Sequence, residues 1–531
     1  MYRLYFLLIA LTRLAAYGQL PIVVQPIAGE VDFAGTFGEL RSHHFHSGVD
    51  FRTGGQIGVP IRAVQSGYLS RMVVRPDGFG WALYIRHPEG YTSVYAHLND
   101  FKPAWHDLVI QRAEHSKSMR LDMSFRADEF PVSVGEIIGW SGNSGSSGGP
   151  HLHFEWRDTK TEEPLNPFSY GLLYGSDSFS PQIIALHTSN GQEARVKNGL
   201  WEEVLIAESW QDIGVEIVDR KHAKGLNLGI QSLAVTWALN DWNASREFEM
   251  DRFSFTNSRC ADGLIQPQVY RSKKIRTYRI APALCSEPKW STPLHSLTEP
   301  GTYLVTIEAR AANGESVIAQ GRIELLESNS SLWTSNAKGK VDVQSGELIA
   351  EELRLSWDRN SFSDPLVPTL KKLSNLEWEA SPDVPALRTL DYTWTPPIGY
   401  PKHLESKTVL IGRDARGTSR IVGKPLPNGD IRFQVKIFGH VRIAIDTVSP
   451  VFGDLMNDTF QGRPAKSITI MDNMLDIVEV YSSINNHWTW SFFDAKNALL
   501  YIPFSAQDHG ILRITTKDEA GNQSNFEASL E

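Results

Sequence analysis

A chain of 531 residues holds about three to five domains at roughly 100–200 residues each, so an activity found in one segment need not occupy the rest. Hydrophobic residues at 41% and charged residues at 21% are the balance of a folded chain, which excludes a protein disordered throughout. The formal charge of -9, from 52 basic and 61 acidic residues, has the wrong sign for a protein living on phosphate-backbone attraction and argues against a nucleic-acid partner.

Met1 and Arg3 are followed by Leu4 to Thr12, nine residues without a charge, then by Arg13 and the small-residue run Ala15-Ala16-Tyr17-Gly18. Residues 1–18 therefore read as an export signal, and the expected location is the periplasm, cell envelope or extracellular space. No cysteine stands near the cleavage point to carry a lipid anchor, and no other stretch reaches the roughly 18–20 apolar residues that cross a bilayer. Cys260 and Cys285 are the two cysteines; export permits them to pair, but two are too few to frame the fold.

The section 19–177 reads as short strands punctuated by glycines. Trp81, Leu83 and Ile85 alternate, a turn at Pro88-Glu89-Gly90 follows, and "YTSVYAH" completes a hairpin. Behind Pro103, the residues Trp105, Leu108, Val109 and Ala113 fall at helical intervals, which predicts a helical insertion over about 101–130. Because its ends lie between His97 and the later histidine pair, this insertion is expected to act as a flap over the cleft. The section is expected to carry its own core and to fold alone when cut near Ser178.

Beyond it the chain is expected to form β-modules at 178–328, 329–445 and 446–531. Tyr303, Val305, Ile307 and Ala309 alternate before Asn313-Gly314, Ile431 to Ile437 alternate ahead of Val441, Ile443 and Ile445, and Leu512 and Ile514 precede "DEAGN". Each reads as a closing hairpin of a β-sandwich. "IDTVSP" at 445–450 and "KDEAGN" at 517–522 resemble turns of bacterial immunoglobulin-like modules. The fold class is mainly β: an antiparallel sheet with a helical insertion, then β-sandwich modules.

Nine of the 16 histidines precede residue 160, which directs the search for chemistry to the first third. In "HFHSGVDF", His46 and Asp50 are four apart, and Gly48 between them is expected to let the backbone turn so that both side chains reach one point. In "GPHLHFE", His151 and His153 share one face of a strand. Two imidazoles and a carboxylate suit zinc and leave a fourth tetrahedral position for water, the catalytic arrangement. "GSSGG" at 145–149 matches the Gly-x-Ser-x-Gly of serine hydrolases, yet Pro150 and a strand follow where that motif needs a helix, so Ser147 is not read as a nucleophile. Its loop is expected to aim the histidine pair and to bring backbone close to an extended peptide. Arg41 is expected to pair with either a substrate carboxylate or an acidic neighbour, and His43, His44 and His87 read as supporting or surface residues.

"HSGVDF", then "YAHL", then "GEIIGWSGNSGSSGGPHLHFE", in that order, resembles the lysostaphin or LytM-type zinc endopeptidases that cut peptide bonds in peptidoglycan. The resemblance covers about residues 29–167. It implies that His46, Asp50 and His153 bind one zinc ion, while His97 and His151 face the water and the substrate. His151 is assigned as base and His97 as oxyanion stabiliser or acid, with the two roles interchangeable at this stage. It also implies peptidoglycan peptides as substrate, with an envelope protein as a further partner of the β-rich tail. Degenerate members of such families act as non-catalytic wall-binding proteins or hydrolase activators; these typically lose ligands, whereas this chain keeps both zinc-binding elements. One departure is that 54 positions separate His97 from His151, which puts substrate range in doubt and not the zinc chemistry.

Overall fold

A computed structural model describes residues 23–530, apart from 30–31, 42, 171–179, 220–227, 274, 282–287, 292–298, 328–344, 360, 363–365, 383, 415–416 and 505–508. The export signal at 1–18, the module boundaries near 178 and 328, and Cys285 lie outside the described residues. Cys260 is buried in the short helix Cys260–Leu264. Among the described residues no helix is long and apolar enough to cross a membrane.

Alternating apolar residues build the N-terminal sheet. In chain order its region contains β1 (Phe33–Gly35), β2 (Leu40–Arg41), β3 (His44–Phe45), β4 (Val49–Arg52), β5 (Pro60–Arg62), β6 (Gly67–Val74), β7 (Trp81–Arg86), β8 (Tyr91–Phe101), α1 (Pro103–Ser116), β9 (Leu121–Ser124), β10 (Pro131–Val132), β11 (Ile137–Ser141) and β12 (His151–Asp158). The main path of the sheet runs β1-β4-β12-β8-β7-β6-β10, and β2 and β3 form a separate hairpin. The pairing of β7 with β8 is the hairpin read from the sequence. Leu83, Ile85, Tyr95, Phe154 and Trp156 are all buried in one cluster, so the two-residue period supplies the core.

The insertion does contain a helix. Pro103 opens α1, Trp105, Val109 and Ala113 recur four apart and are buried, and Lys117 ends it in the left-handed conformation with its N–H bonded to Ala113 O. The remainder is not helical: β9 pairs with β6 over Leu121–Ser124, and β10 extends the same edge. The expected helical flap is therefore corrected to a helix and one strand, β9, joined to the sheet, because the segment buries its apolar residues and pairs its backbone there.

The tail is built from paired sheets. Gln182–Val218 and Ile230–Leu325 contribute a four-stranded and a five-stranded sheet, the latter including the predicted hairpin of Gly301–Ala311 with Ser316–Leu325. Their core is continuous with that of the N-terminal sheet: Phe253 lies 5.4 Å from Phe37 and 5.3 Å from Phe45, ring to ring. The core expected for the first section is thus present and runs on into this module at Phe37 and Phe45. Residues 346–445 form two five-stranded sheets around Trp378, Tyr392 and Phe433. Here Ile431–Val435 and His440–Ile445 do not pair as a hairpin. They lie in opposite sheets, because the buried Ile437 and Phe438 turn the chain through the core between them. Residues 451–530 form another pair of sheets, and Gly510–Asp518 with Gln523–Leu530 is the hairpin expected around "DEAGN".

Candidate metal centre and active site

Strand register assembles the site. In the antiparallel pairing of β12 with β4, His153 stands directly opposite Asp50, so the two side chains leave the sheet on one face. His46 arrives from the segment after β3, fixed by its own N–H to Glu39 O at 2.9 Å and by Gly38 N to His46 O at 2.9 Å. Gly48 is needed for a reason other than turning: a Cβ there would lie 2.2 Å from Phe154 O and 3.0 Å from His153 Cε1. The absent side chain lets the His46 segment press against β12.

Three donor atoms converge. His46 Nε2 is 3.1 Å from Asp50 Oδ1 and 3.1 Å from His153 Nδ1, and His153 Nδ1 is 2.9 Å from Asp50 Oδ1. All three residues are buried and could hold a metal ion together. Each is aimed by a neighbour on its other side. His46 Nδ1–H donates to Thr36 O at 2.8 Å, leaving Nε2 inward. His153 Nε2–H donates to Glu155 Oε1 at 3.0 Å, leaving Nδ1 inward. Arg41 Nη2 donates to Asp50 Oδ2 at 2.6 Å, leaving Oδ1 inward, so Arg41 pairs with an acidic neighbour. Outer partners of this kind fix the tautomer and orientation of ligating groups.

The charge balance follows from these contacts. Burial opposes ionisation of Asp50, but His46, His151 and His153 outweigh it and hold the carboxylate well below its ordinary range. Burial brings the His46 imidazole down to about 4. Burial also disfavours a charged His153, yet its hydrogen bonds to Asp50 and Glu155 raise it to about 9. Glu155, which burial would raise, is drawn down to about 2 by Arg157, His153 and Ser47. Without a metal, the positive charge at the centre is a proton on His153. A site that gathers two imidazole nitrogens and a carboxylate oxygen around one point fits a borderline-soft divalent metal in that proton's place.

His97 and His151 flank this centre. Simple alternation puts Ala96, the partner of His153 across the β12–β8 pairing, on the site face. His97 joins it because β8 is bulged: Ala96 and His97 together span what Ala82 alone spans on β7, and His97 adopts φ 59. Its Nδ1–H donates to Ser144 O at 2.9 Å, and its ring centroid is 4.9 Å from that of His151 and 5.8 Å from that of His153. Burial, with His153 and His151 nearby, pushes the His97 imidazole down to about 3, so it is neutral when the site is empty of substrate. His151 Nδ1–H donates to Gly149 O at 2.8 Å, and Nε2 points to Asp50 Oδ1 at 3.5 Å. The His151 side chain is 16% exposed against 2% for His46, which marks the open side of the site.

The glycine-rich loop holds both flanking histidines. Ser144 Oγ donates to Leu98 O at 2.7 Å and receives Trp81 N, and Gly145 at φ +68 fits where a Cβ would strike Gly78 O at 2.4 Å. Ser147 Oγ donates to Gly149 O at 2.7 Å and is buried, a turn-stabilising role and not a nucleophile's. A Cβ at Gly148 or Gly149 would meet nothing within 4 Å, so this part of the loop is an open rim.

Of the supporting histidines, His43 Nδ1 contacts Asp262 Oδ2 at 3.1 Å and His87 is bonded to Ser66 O and Ser93. Sequence reasoning missed three residues. Glu155 stood inside the quoted "HLHFE", and its two-residue offset from His153 placed it on the same face. Arg157, which donates to Glu155 Oε2 at 2.6 Å, repeats that offset. Lys496 gave no local signal: from the last pair of sheets its ammonium donates to the backbone carbonyls of Asn143 and Ser147 in the glycine-rich loop.

Residues 44–114 match the model described as peptidase family M23. Among curated proteins, the chain is 33% identical over 133 residues to the DD-carboxypeptidase/endopeptidase Mpg of Neisseria meningitidis serogroup B, covering 25% of this chain and 24% of that one. It is 29% identical over 141 residues to the glycyl-glycine endopeptidase ALE-1 of Staphylococcus capitis, covering 25% of this chain and 32% of that one. The match thus spans about a quarter to a third of the length of these relatives. Among solved structures, the catalytic domain of lysostaphin from Staphylococcus simulans is similar at 23% identity, covering 26% of this chain and 91% of that one with a TM-score of 0.20. A zinc-containing peptidase from Vibrio cholerae is similar at 23% identity, covering 27% and 37% with a TM-score of 0.19.

Proposed function

We propose, from the premise that residues 44–114 match peptidase family M23, that the protein is an exported zinc metalloendopeptidase cutting peptide bonds in peptidoglycan. The observation that carries this reading is the convergence of His46 Nε2, Asp50 Oδ1 and His153 Nδ1, each fixed from behind, beside two further histidines on the open side. Zinc, when bound, supplies Lewis acidity that polarises a carbonyl and lowers the pKa of a water.

The chain's own residues would do the rest. His97 and His151 each keep Nδ1–H engaged with a backbone carbonyl, so Nε2 is the ring atom left for chemistry, that of His151 standing 3.5 Å from Asp50 Oδ1. A neutral Nε2 takes a proton from water as the amide is attacked, and an imidazolium returns it to the leaving amine. His151, on the more exposed side, is the base in this scheme, and His97 stabilises the oxyanion or supplies the proton. The open rim at Gly148 and Gly149 would receive an extended peptide without side-chain obstruction. The names of the relatives, an endopeptidase acting on glycyl-glycine bonds and a DD-carboxypeptidase/endopeptidase, support peptidoglycan peptides as substrate. The apolar run Leu4 to Thr12 and the small residues after it support export, and the β-rich tail offers surface for an envelope partner.

The deciding experiment is digestion of purified cell wall by the full chain loaded with one equivalent of zinc, read by mass spectrometry of the muropeptides. New peptide ends absent with His151→Ala support the reading. Stoichiometric zinc with no new ends from any wall tested would favour the non-catalytic, regulatory alternative.

A further inference from the structure

A second cluster of potential ligands lies far from the histidines. Asp446 follows the strand His440–Ile445, Asp472 follows the strand Arg463–Met471, and Asp518 ends the strand Gly510–Asp518. One carboxylate oxygen of each lies within 4.8 Å of the others. The cluster sits where the sheets of residues 346–445 meet those of 451–530. There Val409 and Ile411 from one side pack with Leu475 and Ala520 from the other.

Clustering alone says little, but the unpaired atoms say more. Asp446 is 1% exposed, and its Oδ2 has no hydrogen-bond partner among the described residues; Asp472 Oδ2 is likewise sealed from solvent and unpartnered. Asp518 is fully buried. No ion pair reaches any of the three among the described residues. The Lys407 ammonium donates instead to Asn522 Oδ1 at 2.6 Å. Burying two carboxylates and half-burying a third with no cation beside them is costly, and either protons or a cation can relieve it.

The donors around the cluster occupy one oxygen of Asp446 and one of Asp472 and leave the other free. Val448 N donates to Asp446 Oδ1 at 3.1 Å, and Met474 N and Leu475 N both donate to Asp472 Oδ1 at 2.8 Å. Asn522 gives its backbone N–H to Asp518 Oδ1 and its Nδ2 to Asp518 Oδ2, both at 2.8 Å. Hydrogen bonds donated to a carboxylate favour its charged form. Burial and the neighbouring carboxylates of Asp472 and Asp518 raise Asp446, a penalty a bound cation would remove, and the buried Oδ2 atoms of Asp446 and Asp472 remain unused. Oxygen-only donors select hard cations. Calcium accepts several carboxylates in a flexible shell, whereas magnesium holds to a rigid octahedron and keeps several waters, so a set of three protein carboxylates suits calcium better.

We propose that Asp446, Asp472 and Asp518 bind a calcium ion at the joint between the last two β-sandwiches. The ion ties the connecting strand end to two strand ends of the final module, and so sets how that module is held. The consequence reaches the peptidase domain, because the same module carries Lys496 and also Gln461, which donates to Asn99 O beside the "YAHL" strand.

The test uses the full chain, stripped with chelator, reloaded with one equivalent of zinc and titrated with calcium chloride by isothermal calorimetry and thermal melting. One calcium per chain, in the micromolar to millimolar range, with a rise in Tm is the expected result. Asp472→Asn keeps an acceptor for the Met474 and Leu475 amides and so preserves the turn; it should weaken calcium binding at least tenfold. His153→Ala, which removes a ligand from the other centre, should leave calcium binding unchanged. No calcium binding by the unaltered chain would overturn the proposal. So would equal affinity in Asp472→Asn, or a loss that follows His153→Ala instead. An equal response to magnesium would overturn the assignment to calcium.

Discussion

Lys496 Nζ lies 3.2 Å from the carbonyl oxygen of Ser147, so a residue of the last β-sandwich grips the loop that positions both His97 and His151. The grip is reinforced nearby. Arg463 contacts His106 on α1, Trp490 and Phe492 pack edge-on against Trp81, and Lys117 sits over the Trp488 ring. If the loop is held from outside, its histidines lose alignment when the grip is released.

Lys496→Met should therefore lower kcat about tenfold, the size of one charged hydrogen bond of about 1.5 kcal/mol, with KM and bound zinc nearly unchanged. Lys496→Arg should restore part of the rate. Steady-state kinetics on a soluble peptide, with zinc measured on the same samples, checks both. Wild-type kcat in Lys496→Met would mean that the contact holds the modules together and nothing more.

His46→Ala, Asp50→Ala and His153→Ala should each lose most bound zinc and essentially all activity, because two ligands hold the metal poorly. Glu155→Gln should keep the fold and weaken zinc about 10–100-fold, since the amide orients His153 without the carboxylate's charge. Competition against a zinc chelator reads these differences directly. Full occupancy in any of the three alanine variants would remove that residue from the ligand set.

His97→Ala and His151→Ala should retain zinc and lose roughly 10²–10⁴-fold in turnover, the usual contribution of a positioned acid or base. Zinc loss in His151→Ala with zinc retention in His153→Ala would exchange their roles.

The proton on His153 gives a pH prediction with a definite sign. The metal-free imidazolium persists up to about pH 9, against an unfolded value near 6.5, so it stabilises the metal-free fold most fully below 6.5 and loses that contribution as pH rises through 9. Zinc must expel this proton. Its apparent affinity should rise by about tenfold per pH unit between pH 7 and 9, with close to one proton released per zinc at pH 7.5. Calorimetry in buffers of different ionisation enthalpy counts that proton. A pH-independent affinity would place the proton elsewhere.

The continuity of the first two cores predicts how the chain can be cut. A fragment ending near residue 178 should be less soluble, because it uncovers Phe37 and Phe45, than one ending near residue 328, which keeps those contacts and should fold and bind zinc although it loses the packing of Trp490 and Phe492 on Trp81. Within the insertion, Trp105→Ala should cost about 3–5 kcal/mol of stability, the price of a large buried aromatic, instead of changing substrate preference as a free flap would. Chemical denaturation of the fragments and the variant checks both statements.

What could be read in the sequence follows its local periods. His151 and His153 share a face because strands repeat every two residues, and the helix at 103–116 shows itself by apolar residues four apart. The place of His97 was not legible by that rule, which puts Ala96 on the site; only the bulge in β8 reverses it. Gly48 was recognisable as necessary, though its reason, the approach of β12, depends on a pairing across more than 100 residues. The crossing at Ile437-Phe438 looked like a hairpin because alternation continues through it while the chain changes sheets. Lys496 sits in a polar turn with nothing in its own neighbourhood to mark it. Its meaning arises only from a contact with residues 349 positions earlier.

That last separation bears on when the protein becomes active. The ribosome delivers His46, Asp50, His97, His151 and His153 early, and a chain cut short at that stage already holds every atom of the reactive centre. The loop that aligns two of them is held by a lysine made 349 residues after Ser147. A chain lacking that lysine keeps the donor set and loses the outside hold on that loop.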